Sequence, residues 1–246
     1  MTDTFIALLF AHLLADFVFQ TRWMVERKSG FWMLLLHIAI VVLLTALALG
    51  NWHIGLLVLV GFSHLIVDLI KSRWLGDDWR MFSLDQTVHA VFLVVAALVW
   101  PMAFAVGFWA APPAAIVRVV PLAFFGNLTG YMLILSGIIL VVRTGDFLIG
   151  KLMAPLAAQL PEESGNSGLQ NGGRIIGILE RALIFLLMLL GEMSGIGFLI
   201  AAKSVLRFGS TRDDRAMTEY VIIGTLYSFG WAILVGWIVR ALLQWG

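Results

Sequence analysis

The chain has 246 residues, of which 61% are apolar and 13% charged, with a mean hydropathy of +0.98 and a net charge of +1. A soluble domain averages about 45–50% apolar and about 25% charged residues, so an aqueous globule of this size is excluded and lipid is the expected solvent. The near-neutral charge gives no footing for nucleic acid, and the absence of cysteine excludes disulfides and thiolate metal sites.

A helix needs roughly 20 mostly apolar residues to cross a bilayer. On that measure eight spans are predicted: about 4–22, 31–50, 54–72, 84–109, 128–150, 174–191, 193–208 and 217–243. The first lacks a basic leader and a small-residue cleavage site, so it is expected to be a retained span rather than a signal peptide. Residues 112–127 open with Pro112-Pro113 and contain Pro121, which predicts an interfacial piece. The sixth and seventh runs lie close together and read equally as one broken helix or a re-entrant pair. The segment 155–174, rich in Gly, Ser, Asn and Pro, is the expected linker. It divides a five-span front part (1–154) from a three-span back part (175–246). The expected fold is an all-α integral membrane protein of about eight transmembrane helices.

Basic residues set orientation. Arg22, Arg27 and Lys28 follow the first run, Lys71, Arg73 and Arg80 the third, Arg143 and Lys151 the fifth, and Lys203, Arg207, Arg212 and Arg215 the seventh. The alternate connections are nearly free of them, apart from Arg118. The pattern predicts basic loops in the cytoplasm, both termini outside, and residence in a bacterial inner membrane.

Two stretches of the front part resemble each other. HLLADFVFQTRW (12–23) matches HLIVDLIKSRW (64–74) with one residue fewer, and LHIAIVVLLTALA (36–48) matches VHAVFLVVAALVW (88–100). His12 and His64, Asp16 and Asp68, and His37 and His89 are each 52 positions apart (64 − 12, 68 − 16 and 89 − 37). The expectation is a tandem repeat of helical hairpins, 4–50 and 54–109, about a pseudo-two-fold axis along the membrane normal.

Residues four apart share a helix face. His12 with Asp16, His64 with Asp68, and Asp85 with His89 therefore form polar pairs, with Gln20 and Lys71 continuing two of the stripes. At about 1.5 Å per residue, His12, His37, His64 and His89 all fall roughly 10–15 Å inside the cytoplasmic boundary. Ionisable groups at such depth are costly and face a bundle interior, in pairs or around a ligand. Imidazole with carboxylate is the usual donor mix for zinc, iron or manganese. The predicted metal ligands are His12, Asp16, His37, His64, Asp68, Asp85 and His89, for one or two divalent ions. Asp85 or Asp16 could instead serve as a general base. Gln20, Lys71 and Gln86 are expected to orient substrate. The bland alternative is a His–Asp hydrogen-bond network that joins helices. Bis-histidine haem fits poorly beside carboxylates one turn away, and His53, next to Trp52 in a loop, reads as interfacial.

The back part carries Glu180, Arg181, Lys203, Arg207 and Glu219. Lys203 and Arg207, four apart, could bind a phosphate or lipid head group. Equally, Glu180 and Glu219 could pair with Lys203 and Arg207. No Walker glycine loop, GxSxG, HExxH or CxxC is present.

AHLLADFVFQ, LLLHI, FSHLIVDLIKSRW and LDQTVHAVF together resemble a bacterial membrane family known only as a domain of unknown function. The resemblance covers about the first half, with GRIIGILERALIF…IAAKSVLRF…EYVIIGTLYS resembling the extension of longer members. More loosely, the intramembrane HxxxD elements are similar to those of inner-membrane proteins labelled metal-dependent hydrolases. The expected function is a metal-dependent membrane hydrolase acting at the cytoplasmic leaflet on a lipid-linked or small phosphorylated substrate. A transporter or ion-conducting protein built on the same site is one alternative, and a structural or regulatory membrane subunit another. Membrane lipid is an expected partner, and self-association into a homo-oligomer is compatible with these readings.

Overall fold

The computed structural model describes residues 1–27, 30–74, 76–160, 171–207 and 215–245, with 206, 207 and 245 described by backbone alone. Among these residues the regular structure is entirely helical. The chain divides into two compact units, Met1–Ile139 and Leu140–Gly246. The boundary lies inside the fifth predicted span, ahead of the expected linker.

The first unit is built on four long helices. Helix α1 (Thr2–Leu14) runs into a π turn at Ala15–Phe19 and is followed by the short α2 (Arg22–Glu26). Helices α3 (Phe31–Leu49), α4 (Ile54–Trp74) and α5 (Trp79–Val99) complete the set. Local chemistry fixes their ends. The Thr21 hydroxyl accepts from the Met24 amide, and the Asp78 carboxylate from the Met81 amide at 2.8 Å, the expected N-terminal caps. Gly50 closes α3 in the left-handed region at φ 70°, where a side chain would be strained. Helix α1 packs on α3, α3 on α4, α4 on α5, and α5 back on α1. The result is a closed ring of four with alternating direction. Two short helices, α6 (Ala114–Val117) and α7 (Leu122–Gly126), lead to α8 (Leu128–Ile139), which packs on α1. They occupy the stretch expected to be interfacial.

The ring is inside out for water. Buried positions include His12, His37, His64, Asp68, Asp85 and His89, while Val58 (61% exposed) and Phe62 (60%) lie on the outside of α4. Water rewards the opposite arrangement, whereas hydrocarbon rewards this one. Among the described residues, six helical segments are long and apolar enough to cross a membrane: Thr2–Phe19, Phe31–Leu49, Ile54–Trp74, Trp79–Val99, Leu128–Ala157 and Arg215–Gln244. The chain therefore has the architecture of a multi-pass membrane protein.

Three sequence expectations need revision. The fourth span covers Trp79–Val99 rather than 84–109, because Trp100 precedes Pro101 and is pushed out of the helical region, to φ −124° and ψ 65°. Beyond Trp100 the chain forms a plug of turns with its polar groups tied down. The Thr4 hydroxyl donates to Pro101 O at 2.9 Å and accepts from Phe104 N at 3.2 Å. The Asn51 amide donates to Ala103 O, Trp109 Nε1 to Leu47 O at 2.6 Å, and Phe108 N to Gly50 O at 2.8 Å. Second, Pro155, Leu156 and Ala157, expected in the linker, lie in helix α9 (Gly145–Ala157); residues 161–170 are outside the described set. Third, the sixth and seventh predicted spans correspond to α10 (Gly172–Leu190) and α11 (Met193–Arg207). Neither is among the six long apolar helices. Helix α10 carries Arg174, Glu180 and Arg181, and α11 has only 15 residues.

A side chain at Gly107 would run into the carbonyl oxygen of Leu49 and stand 3.1 Å from that of Phe104. Backbone cannot step aside as a flexible side chain can. Gly107→Ala is expected to cost about 3 kcal/mol, seen as a lower thermal unfolding midpoint in micelles. Gly126→Ala, which meets nothing within 4 Å, is the matched control. Equal midpoints would show that the plug does not hold the ring.

In the second unit a π turn (Leu140–Thr144) leads into α9, and α10 packs on both the π turn and α12 (Arg215–Trp245). The π turn leaves carbonyls for side chains to bond. Trp231 Nε1 donates to Leu140 O at 2.9 Å and Arg181 Nε to Val141 O at 2.7 Å.

Candidate metal centre

Each helix of the ring sends a histidine to its middle: His12 from α1, His37 from α3, His64 from α4 and His89 from α5. The His64 ring centroid stands 4.1 Å from that of His89, 5.2 Å from that of His37 and 5.5 Å from that of His12. His12 stacks on His89 at 5.2 Å.

Four atoms converge most tightly. His37 Nε2 and His64 Nε2 are 3.2 Å apart. Asp16 Oδ1 lies 3.3 Å from the first and 3.2 Å from the second. Asp68 Oδ2 lies 3.4 and 3.8 Å from the same two nitrogens. The side chains of His37 and Asp68 are each 1% exposed. A tetrahedral ion with bonds of about 2.0–2.1 Å has ligand atoms about 3.3–3.4 Å apart, and most of these spacings lie close to that edge length. A hydrogen-bond network would aim N–H groups at the carboxylates. His37 Nε2 and His64 Nε2 stand within hydrogen-bond distance of each other and of Asp16 Oδ1, so this spacing serves a bound ion or a His–Asp network alike.

In an α helix Asp16 would share the face of His12, as the sequence predicts. It does: Asp16 Oδ1 is 4.0 Å from His12 Nδ1, much as Asp68 Oδ2 is 3.8 Å from His64 Nε2 on the regular helix α4, and it lies closer still to His37 and His64. Asp16 and Asp68, 52 positions apart, thus approach the same two histidines, while His12 turns toward α5, where it meets Gln86.

The remaining members are oriented by neighbours. His89 Nδ1 donates to Asp85 O at 2.9 Å, leaving His89 Nε2 buried without a hydrogen bond. His12 Nε2 donates to Gln86 Oε1 at 3.3 Å, leaving His12 Nδ1 likewise bare. A ring whose far N–H is held by a carbonyl while its near lone pair is free is the usual state of a metal-binding histidine. Gln86 Nε2 also donates to Asp85 Oδ2 at 3.1 Å, and Lys71 Nζ pairs with the same oxygen. Asp85 Oδ1, 3.6 Å from His89 Nδ1, accepts no hydrogen bond. Among the described residues, three overlapping groups could hold a metal ion: His12, Asp16 and His64; His37, His64 and Asp68; and Asp68, Asp85 and His89.

All seven predicted ligands therefore meet in one cluster, and Lys71 and Gln86 lie against it. Gln20 ends the π turn with a buried Nε2 that makes no hydrogen bond. Lys203 belongs to the second unit, where its Nζ meets Glu180 Oε2 at 2.6 Å. The side chain of Arg207 is outside the described residues. Glu219 accepts from Arg215 Nε, one turn before it on the same helix, at 2.8 Å. The sequence reading missed Asp146, which takes Arg174 at 2.7 Å and stands 3.8 Å from Arg181. An acid inside the long apolar run 128–157 was the signal.

Residues 4–116 match the protein family described as "Protein of unknown function (DUF3307)", and a domain of that family covers them. No curated protein matches the chain, and no solved structure does.

Proposed function

We propose that the first unit is a divalent-metal centre of an inner-membrane hydrolase acting at the cytoplasmic face on a lipid-linked or small phosphorylated substrate. One observation carries the reading: Asp16 Oδ1, His37 Nε2 and His64 Nε2 stand 3.2–3.3 Å from one another, close to the ligand spacing about a tetrahedral ion, with Asp68 Oδ2 3.4 and 3.8 Å from the two nitrogens. Zinc suits the donors best, with manganese and iron next. When bound, the ion polarises a phosphoryl oxygen and lowers the pKa of water beside it.

This assignment divides the two candidate bases. Asp16 is taken up as a ligand, so Asp85 is the carboxylate left to move a proton. Its Oδ2 is held by Lys71 and Gln86, and its Oδ1, free of hydrogen bonds, is the atom that receives the proton. Lys71, with a side chain 26% exposed, is the cation that an incoming phosphate would meet first. Basic residues at 22, 27, 71, 73 and 80 cluster at this end of the ring, which supports the cytoplasmic orientation. The tandem-hairpin relation is part of the same proposal and explains how one chain supplies two similar sets of donors.

Purified protein in micelles is expected to release phosphate from a lipid phosphomonoester in a chelator-sensitive way. Asp85→Asn should lower that rate by about 100-fold or more while bound metal, measured by plasma mass spectrometry, stays at the parent level. Divalent-ion flux in proteoliposomes without any hydrolysis would replace the hydrolase by the transporter reading.

A further inference from the structure

The second unit contains a cavity of about 880 Å³ between α9, α10, α11 and α12. Its wall is mostly apolar, with Ile149, Met153, Ile176 and Leu199 among the lining residues, but it also holds Arg174, Arg181 and Lys203. The metal reading uses none of these groups.

Arg181 is the unusual member. It is 3% exposed, and a guanidinium with five donors is rarely buried unless each is used. Two are fixed: Nε donates to Val141 O at 2.7 Å and Nη1 to Ser228 Oγ at 3.2 Å. Those bonds clamp the plane of the guanidinium. Nη2 makes no hydrogen bond, and the nearest carboxylate oxygen, Asp146 Oδ1, is 3.8 Å away. Asp146 is itself shared, because Arg174 bonds its Oδ2 through Nε at 2.8 Å and Nη2 at 2.7 Å. Lys203 is matched by Glu180. Among these five groups three cations face two carboxylates. The wall thus carries one positive charge in excess, an unused donor and a rigid orientation, which together fit an oxyanion.

We propose that this cavity binds one phosphate oxyanion, supplied by the phosphodiester head group of an anionic membrane lipid. The Arg181 guanidinium, which lines the cavity and needs only a small side-chain shift to bring its buried Nη2 to the surface, meets a phosphoryl oxygen, and the apolar wall receives the first methylenes of the lipid chains. A singly charged phosphodiester matches the excess charge and leaves no further charge to neutralise. Free inorganic phosphate shares the oxyanion but would leave the apolar wall unused.

The full chain in neutral micelles is titrated with phosphatidylglycerol, with phosphatidylcholine and with inorganic phosphate. Binding is read by native mass spectrometry and by the thermal midpoint. Phosphatidylglycerol is expected to bind once per chain, at least about tenfold more tightly than phosphatidylcholine. Arg181→Gln should remove that preference, and Arg181→Lys, which keeps the charge without the fork, should keep part of it. Gly150 lines the cavity and faces open space, so Gly150→Leu should fill the cavity and abolish binding with Arg181 left in place. This second variant carries the test if Arg181→Gln fails to fold. Equal binding of the two lipids, or a preference that survives Gly150→Leu, overturns the proposal. Inorganic phosphate binding as tightly as phosphatidylglycerol overturns the assignment to a lipid.

Discussion

His64→Ala is expected to leave the protein with less than about a tenth of the parent's bound metal. His64 Nε2 lies within 3.2–3.8 Å of Asp16, His37 and Asp68, and the ring also packs against His12 and His89. It thus touches five members of the cluster. Replacing an outer partner of a metal site costs about 10–100-fold in affinity, so losing a direct donor costs more. Metal content after dialysis against a chelator is the measurement, with His53→Ala as the control. His53 pairs with Trp100 at the far end of the ring and should leave metal content unchanged. Full metal retention in His64→Ala would mean that the cluster is only a hydrogen-bond network.

Asp146→Asn should be the most damaging single change in the second unit. It removes the only carboxylate within 4 Å of Arg181 among the described residues, leaving a nearly buried guanidinium without its counter-charge. Breaking a buried pair from one side costs about 3–5 kcal/mol. Arg174→Gln acts on the same carboxylate, but Arg174 is 51% exposed, and the expected loss is under about 1 kcal/mol. Denaturant unfolding of both variants in one micelle system gives the comparison. Similar small losses would mean that Asp146 does little to neutralise Arg181.

The sequence is most informative where one helix turn decides the geometry. His64 with Asp68 and Asp85 with His89 are four apart on regular helices, so their shared faces can be read directly. The common depth of the four histidines comes from counting residues along neighbouring spans. Contacts between residues distant in the chain were not legible. Asp146 has partners 28 and 35 positions away (174 − 146 and 181 − 146), beyond any helical spacing. Hydropathy alone ran the fourth span to residue 109, past the Trp100-Pro101 stop, because the plug beyond it is as apolar as a helix. The stretch 12–23 is one residue longer than 64–74, and that surplus was visible as a gap in the comparison. It falls in the stretch where the first helix closes with a π turn and breaks at the extended Gln20 before α2, whereas α4 runs on to Trp74.

The plug of turns after α5 also bears on traffic through the ring. With Phe104 buried and the segment laced to Thr4, Asn51 and the end of α3, that mouth is stoppered. The opposite mouth carries Gln20 and Lys71. On the proposed reading the ring is a cul-de-sac, entered and left by the Lys71 end. Such a vessel can process a guest and return it to the side it came from, whereas carriage across the bilayer would first require pulling the stopper.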